Sequence, residues 1–260
     1  MTVIPWEDLS ERRVSIDRPV ALTIGVFDGL HIGHRKLIAG ILQEQGERLA
    51  LVVTFRPSPA MILAPRTFPG LILTWRQKLA RLENLGVAAV VAIDFSEEMS
   101  NLSGQAFIGL LKENLAISKI VVGQNFRFGK GRYSGTDELK AMLSGTGTEV
   151  QVTTPVLWDD RIVSSSRIRM TIKEADFPQA RSMLASPFSL DLHGLPASRE
   201  RRGTLRIPRQ SVTQVLPKTG AYAVTCVSAE GSRAGRCAVG EEALTFTVGD
   251  GRDIIAAVFQ

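Results

Sequence analysis

The chain of 260 residues contains no run of about 18 consecutive apolar residues, so a transmembrane helix is not expected. Its first residues, MTVIPWEDLSERR, mix acidic and basic side chains without an apolar centre, which disfavours a secretory signal. Only two cysteines occur, Cys226 and Cys237, and a lone pair without an export signal is typical of reduced thiols in the cytoplasm. We therefore expect a cytoplasmic protein that does not associate with a membrane.

An excess of one charge is also lacking, because 31 Lys and Arg residues against 26 Asp and Glu residues give a net charge of only +5. The basic residues are scattered and rarely alternate with aromatic ones, which disfavours nucleic-acid binding. A small, phosphate-rich substrate would use the same arginines and lysines. With 44% apolar residues, the chain has the composition of one large globular domain or two modest ones.

Up to about residue 190, apolar strands alternate with helices of helical periodicity. The predicted strands are 20–27, 49–55, 87–95, 119–123 and 148–156. The predicted helices between them are 34–42, 75–85, 104–115 and 137–145. This alternation predicts an α/β fold with a parallel sheet covered on both faces, in which ligands bind at the carboxyl ends of the strands.

After about residue 190 the composition changes. Residues 194–211 are rich in Gly, Pro, Ser and Arg and are predicted to form a linker or long loop. Short strands separated by turns are predicted at 219–231, 233–240, 243–251 and 253–260. We therefore predict two domains, residues 1–190 and a small antiparallel β domain at 191–260.

The motif GVFDGLHIGH, residues 25–34, holds two of the three histidines of the chain. His31 and His34 lie three residues apart at a predicted helix start, where unpaired backbone N–H groups favour phosphate oxygens. Helix capping and packing, zinc binding and phosphate binding are the alternatives. Zinc is disfavoured because no Cys or third His lies nearby, and Asp28 alone leaves the ligand set short.

This motif resembles the GxFDGxHxGH signature of the prokaryotic FAD synthetase family, part of the wider nucleotidylyltransferase superfamily. TFRPSP at 54–59, VVGQNFRFGKGRYSG at 121–135 and VSSSRIR at 163–169 resemble further family motifs in the same order. The resemblance implies a Rossmann-like nucleotidylyltransferase domain that transfers AMP from ATP to FMN, giving FAD and pyrophosphate, with Mg²⁺.

The resemblance also implies roles for individual residues. His31, His34 and Arg167 are the expected catalytic residues. ATP binding is expected from Gly25, Phe27, Asp28, Gly29, His31, His34, Ser165, Ser166, Arg167 and Arg169. FMN binding is expected from Pro57, Pro59, Asn125, Phe126, Arg127, Phe128, Lys130 and Arg132. No residue is assigned as a metal ligand.

Physical alternatives stand beside these roles. Phe126 and Phe128, at strand spacing, are typical of a hydrophobic core as much as of a flavin-stacking pair. Ser165 and Ser166 at a helix start could simply cap a surface helix. Ser58 stands where the family usually has a histidine, so this wall of the expected flavin pocket departs from the family pattern.

The C-terminal region departs further from the family. LPKTGAYAVTCV at 216–227 resembles a strand of the riboflavin kinase domain that follows in bifunctional members. GTLRIPRQSV stands where that domain carries its PTAN motif, so we expect a shortened remnant without kinase activity. Two alternatives stay open beside FMN adenylylation: an adenylyltransferase for another phosphorylated acceptor, and a flavin- or nucleotide-binding protein that has lost turnover. A homo-oligomer is possible.

Overall fold

The computed structural model describes residues 1–43, 46–200, 204–247 and 254–260. Its helices are α1 (Trp6–Ser10), α2 (Ile32–Leu42), α3 (Pro59–Leu63), α4 (Trp75–Asn84), α5 (Glu97–Asn101), α6 (Gly104–Asn114), α7 (Thr136–Leu143), α8 (Ser165–Lys173) and α9 (Phe177–Leu184). Its strands are β1 (Thr2–Pro5), β2 (Val20–Ile24), β3 (Leu49–Phe55), β4 (Ala89–Ile93), β5 (Ile117–Gly123), β6 (Glu149–Thr153), β7 (Leu157–Trp158), β8 (Arg161–Ile162), β9 (Ser189–Asp191), β10 (Ser198–Glu200), β11 (Thr204–Pro208), β12 (Gly220–Ser228), β13 (Gly231–Val239), β14 (Ala243–Thr247) and β15 (Ala256–Phe259).

The chain forms two compact units. The first comprises residues 1–27, 33–68 and 79–157, and the second comprises residues 28–32, 69–78 and 158–260. Helices α8 and α9 therefore belong to the same unit as the C-terminal strands, and the domain boundary after residue 190 stays a prediction. Among the described residues, no helix has the length and apolar character needed to cross a bilayer.

The first unit is built on a six-stranded sheet in the order β1-β4-β3-β2-β5-β6. Every neighbouring pair is parallel, which confirms the predicted α/β fold class. Strands β2 and β4 are buried along their whole length, as expected for central strands that read as unbroken apolar runs. From β2 the chain builds the sheet outwards through β3 and β4, then continues with β5 and β6 on the other side of β2. The strand order thus reverses between β2 and β5, the place where such sheets bind ligands.

Helices cover this sheet. Side chains of α1, α6 and α7, among them Leu9, Phe107 and Leu139, share one hydrophobic cluster with the strands. Helix α2 passes close to β5, because a Cβ added at Gly40 would lie 3.0 Å from Cγ1 of Val121. The helices and strands predicted up to residue 156 are all present with small shifts in their ends. Strand β1 was not predicted; it pairs with β4 at the sheet edge.

The second unit contains a seven-stranded antiparallel sheet in the order β10-β11-β14-β13-β12-β15-β9, which confirms the predicted small antiparallel β fold. Its inner face carries alternating buried residues, such as Leu205 and Ile207 on β11. Phe177 of α9 packs against this sheet, with its ring centroid 4.8 Å from that of Phe259. Cys226 and Cys237 are both buried free thiols, and burial raises the pKa of Cys237 to about 12.

The prediction of a linker or long loop at 194–211 is wrong at Ser198–Glu200 and Thr204–Pro208, which form β10 and β11. Buried Leu205 and Ile207 flank exposed Arg206, a strand alternation that the local Gly, Pro and Arg content obscures. Residues 201–203 of that prediction lie outside the described residues. So do residues 248–251 and 253, the end and the beginning of two predicted strands.

Candidate functional site

The loop between β2 and α2 has an unusual backbone. Phe27, Gly29 and Leu30 have φ angles of 52°, 94° and 45°. The side chains of Phe27 and Leu30 are only 1% and 0% exposed. Left-handed backbone is uncommon for bulky residues and persists only where surrounding packing holds it, whereas glycine adopts it readily. Such strain concentrates at functional sites, which makes this loop the first candidate.

Within the second unit, Asp28 organises the loop. Its buried carboxylate accepts hydrogen bonds from the backbone N–H of Ile72, at 3.0 and 3.1 Å, and of Leu73, at 3.0 Å. It also forms an ion pair with Arg169, whose Nε donates to the carbonyl of Gly70 at 2.8 Å. Asp28 and Arg169 are therefore engaged with each other and with the main chain, so their predicted contact with ATP stays a prediction.

Helix α8 begins beside the same loop in the second unit. Ser165 Oγ donates to the carbonyl oxygen of Asp28 at 2.8 Å. Ser164 is the N-cap residue, and its hydroxyl accepts from the N–H of Arg167 at 3.2 Å. The N-cap role considered for Ser165 and Ser166 thus belongs to Ser164, whose extended backbone places its Oγ toward the first helical turn. Ser166 is exposed at the helix start.

Arg167 is buried, with an exposed fraction of 9%. One of its terminal nitrogens donates to the carbonyls of Trp158 and Arg161, both at 2.8 Å. Its guanidinium also lies 6.0 Å from the ring centroid of Trp158. These contacts fix the guanidinium in one orientation, and a fixed guanidinium loses less conformational freedom when it binds a phosphate.

His31 is buried with 6% exposure in the second unit. Burial lowers its pKa to about 4, because the charged imidazolium loses its hydration. His31 is therefore neutral near pH 7, with one ring nitrogen as donor and the other as acceptor.

Lys78 is a buried cation that the sequence motifs did not single out. It is 5% exposed, and burial lowers its pKa to about 8 while the charge of Asp28 partly opposes that change. Lys78 lies four residues before Leu82, which is completely buried, so both side chains lie on the apolar face of helix α4. A lysine at a core-facing position of an amphipathic helix was the signal that could have revealed it.

In the first unit, Gly25, Phe27 and His34 follow the carboxyl end of β2. The N–H of Gly25 donates to the carbonyl of Val53 at 3.1 Å, which extends the pairing of β2 and β3. The half-buried ring of His34 lies in α2 and packs edge-on against Phe27, with centroids 5.2 Å apart. Phe27 thus orients His34, whereas the structure does not test its predicted contact with ATP.

The turn after β3 carries Pro57 and Pro59, both half-buried. Pro59 opens α3, a helix whose Ile62 and Leu63 are 46% and 63% exposed. Ser58, which replaces the usual histidine, is buried with 7% exposure. The turn therefore follows the carboxyl edge of the sheet as predicted, while its role as a flavin wall is not tested.

The loop after β5 separates its aromatic from its polar residues. Phe126 stacks on Phe128 with centroids 5.1 Å apart, and Phe128 is 7% exposed within the hydrophobic cluster of the first unit. The polar members are exposed: Asn125, Arg127, Lys130 and Arg132. Phe128 is thus a core residue, which is the alternative given for this pair. Phe126 is only half-buried and retains some accessible surface.

The described ranges contain no group of three or more His, Cys, Asp or Glu side chains placed to hold a metal ion. The carboxylate within the histidine motif, that of Asp28, is engaged by Arg169 and by two backbone N–H groups. These described residues do not fit a resident Mg²⁺ site.

The sequence model of the family described as FAD synthetase matches residues 14–167. A bifunctional riboflavin kinase/FMN adenylyltransferase of Escherichia coli is 33% identical over 213 residues, covering 78% of this chain and 66% of that protein. A protein of Pseudomonas fluorescens with the same description is 32% identical, covering 80% of this chain and 68% of its own length. The chain thus spans about two thirds of the length of these relatives.

A solved structure described as a macrolide-efflux protein from Streptococcus pneumoniae superimposes with a TM-score of 0.84 at 22% identity. The match covers 100% of this chain and 90% of that one. At this identity the likeness concerns the fold alone.

Proposed function

Because the chain belongs to the FAD synthetase family, we propose that it is an FMN adenylyltransferase, which transfers AMP from ATP to FMN and releases FAD and pyrophosphate. One observation carries the proposal. Two motifs whose residues lie 137 positions apart in sequence meet in the second unit, where Ser165 donates to the carbonyl of Asp28. The strained loop that carries Asp28 and the start of α8 are thereby held against each other, which supports a shared role of the two motifs in binding a nucleotide.

The reaction needs positioning and charge stabilisation more than a strong base. An anionic phosphate oxygen of FMN attacks the α-phosphorus of ATP, and the bond from that phosphorus to the bridging oxygen of the β-phosphate breaks. Pyrophosphate leaves with the electron pair of the broken bond, so no covalent enzyme intermediate is required. ATP is proposed to enter as its magnesium complex, with the metal carried by the substrate.

In the second unit we assign His31, Arg167 and the start of α8 to the ATP phosphates. Neutral His31 donates one N–H, and Arg167 supplies a permanent positive charge in a fixed orientation. The N–H groups at the start of α8 favour anions. Ser166, exposed at that start, adds a hydroxyl donor.

In the first unit we assign His34 to the phosphates and the loops after β3 and β5 to FMN. The cationic side chains Arg127, Lys130 and Arg132 are exposed and suit a phosphate, while Phe126 and Pro57 offer apolar surface to the flavin ring. Both loops follow parallel strands and so leave the sheet at its carboxyl edge.

The direct test is chromatographic detection of FAD after incubation of the protein with FMN, ATP and Mg²⁺. His31→Gln and His34→Ala are expected to lower turnover at least about 100-fold, the range for a group that stabilises transition-state charge. His193→Ala is the matched control, because His193 is exposed and lies outside both motifs. Near-normal FAD formation by either motif variant would contradict its catalytic assignment.

The same assay separates the alternatives. Pantetheine phosphate or nicotinate mononucleotide replaces FMN in parallel reactions, and an adenylylated product from one of these, without FAD, would identify another acceptor. Bound flavin without any turnover would indicate a binding protein.

We also propose that the chain lacks riboflavin kinase activity, although its relatives are described as bifunctional. The supporting observation is the sequence at 203–212, where GTLRIPRQSV stands in place of the kinase motif. Formation of FMN from riboflavin, ATP and Mg²⁺ would contradict this.

A further inference from the structure

In the second unit, the segment 69–78 donates backbone hydrogen bonds to Asp28 and is itself paired with the chain around Gln214. Leu71 pairs with residues beside Gln214: its N–H donates to Thr213 at 2.9 Å, and its carbonyl accepts from Val215 at 2.7 Å. The two segments approach each other so closely at Gly70 that an added Cβ would lie 2.6 Å from the backbone nitrogen of Val215. The segment is therefore clamped against the chain that leads into β12.

Gln214 sits at the centre of this clamp and is 4% exposed. Its side-chain nitrogen donates to the carbonyls of Ile72, at 2.9 Å, and Ser189, at 3.0 Å, and to Oε1 of Gln77, at 3.1 Å. Its side-chain oxygen accepts from the N–H of Asp191 at 2.7 Å. A buried amide with donors and acceptor all satisfied specifies one geometry, since each group would cost free energy if left unpaired.

Asp191 adds a second tie between the antiparallel sheet and the same segment. Its carboxylate accepts from the hydroxyl of Thr74 at 2.6 Å and forms an ion pair with Arg76. Burial opposes ionisation of Asp191, but the hydrogen bonds from Arg76 and Thr74 outweigh it and hold the pKa of this carboxyl below its usual range. Strand β9, which carries Asp191, pairs with β15.

Ile72 is the link between this network and the histidine motif. Its N–H is bound by the carboxylate of Asp28, and its carbonyl is bound by Gln214. Asp28 in turn accepts from Ser165 through its own carbonyl and is separated from His31 by only two residues. A continuous chain of hydrogen bonds within one unit therefore runs from the C-terminal β sheet to the strained loop.

We propose that Gln214 is a positioning residue for adenylyl transfer, and that the C-terminal β module, strands β9–β15, serves to hold the Asp28–His31 loop in its reactive geometry. This inference rests on the proposed function, since it concerns the part of that site assigned to ATP. It gives the C-terminal region a role that does not depend on kinase chemistry. Even a small displacement of catalytic groups lowers turnover strongly, because transition-state stabilisation depends steeply on geometry.

The test compares Gln214→Met, which keeps the volume but removes the amide, with Val239→Ala. Val239 is 2% exposed on β13 and pairs with Leu244, so its truncation destabilises the same β module without touching the network. Steady-state kinetics of FAD formation are measured at a temperature where both variants are folded, and hydrogen exchange is followed over residues 28–33.

The expected result for Gln214→Met is a kcat about tenfold lower, a KM for FMN within about twofold of the wild type, and faster exchange at 28–33. The KM for FMN is unaffected because the loops assigned to FMN lie in the first unit. Val239→Ala is expected to lower the melting temperature while kcat and exchange at 28–33 stay unchanged.

Equal kcat values for Gln214→Met and Val239→Ala, or unchanged exchange at 28–33 in Gln214→Met, would overturn the positioning role. If Gln214→Met does not fold, Gln214→Glu is judged by the same criteria, because it keeps the acceptor for Asp191 and removes the donors. A wild-type protein that makes no FAD overturns the proposed function and this inference together, whereas an active wild type with unaffected Gln214 variants overturns this inference alone.

Discussion

Acid should destabilise the protein through His31. Its pKa falls from 6.5 in the unfolded chain to about 4 in the fold, because burial disfavours the imidazolium. Between these values the unfolded state binds the proton more tightly, so stability is fully present above pH 6.5 and is lost as the pH falls toward 4. Since one pKa unit corresponds to about 1.4 kcal/mol, the full effect is about 3 kcal/mol, of which about 2 kcal/mol lies between pH 7 and pH 5.

The assay is urea unfolding at pH 7, 6 and 5, with wild type compared to His31→Gln, whose side chain does not titrate. The free energy of unfolding of the wild type should fall about 2 kcal/mol more than that of the variant between pH 7 and pH 5. His193→Gln is the control for replacing an exposed histidine. If the wild-type and His31→Gln curves are parallel, His31 is not held neutral by burial and the reasoning is refuted.

Three further variants test the second unit. Asp28→Asn should lower the free energy of unfolding by about 3 kcal/mol in urea titrations, because Arg169 keeps its charge in a mostly buried position without its partner; an effect below about 1 kcal/mol would contradict this. Gly70→Ala should lower the melting temperature far more than Gly46→Ala, although both glycines have positive φ. The reason is that an added Cβ at Gly70 would lie 2.6 Å from the backbone nitrogen of Val215, whereas nothing lies within 4 Å at Gly46. Burial lowers the pKa of Lys78 from 10.5 to about 8. The free energy of unfolding of the wild type should therefore rise relative to that of Lys78→Met as the pH increases from 8 to 10.5, by up to about 3 kcal/mol. A constant difference between the two proteins would show that Lys78 is not desolvated.

The parallel sheet was predictable because its strands and helices carry strong, simple patterns. Strand β3, LALVVTF, is an unbroken apolar run ended by the Arg-Pro sequence, and β2 is similar. Strand β1 escaped prediction because four residues are too few to show a period and its side chains are mostly exposed. The described part of 194–211 was misassigned because its composition is typical of loops, although Leu205 and Ile207 alternate with Arg206.

The sequence motifs identified candidate site residues, but they did not predict which other residues these side chains contact. The motifs pointed to Asp28 and Arg169 as ATP ligands, whereas the structure pairs these two charges with each other. Nothing in local sequence announces that pairing, because the partners lie 141 positions apart. Lys78 and Gln214 were missed for the same reason: their environments are created by segments distant in sequence, and neither lies in a recognisable motif.

Within the Gly-Val-Phe-Asp-Gly part of the signature, Asp28 and Gly29 support the fold of the loop, and their expected contact with ATP stays a prediction. Gly29, at φ 94°, has a backbone conformation that favours glycine, and an added Cβ would make tight contacts of 3.2 Å with the side chains of Ile72 and Leu184. Asp28 receives two backbone N–H groups and a guanidinium, which satisfies its carboxylate without any ligand. A loop held this firmly can keep left-handed backbone at Leu30, next to His31. A neutral, buried histidine adds no net charge, so in the proposed reaction the electrostatic attraction for ATP is assigned to cationic groups such as Arg167, and His31 is assigned one directed hydrogen bond.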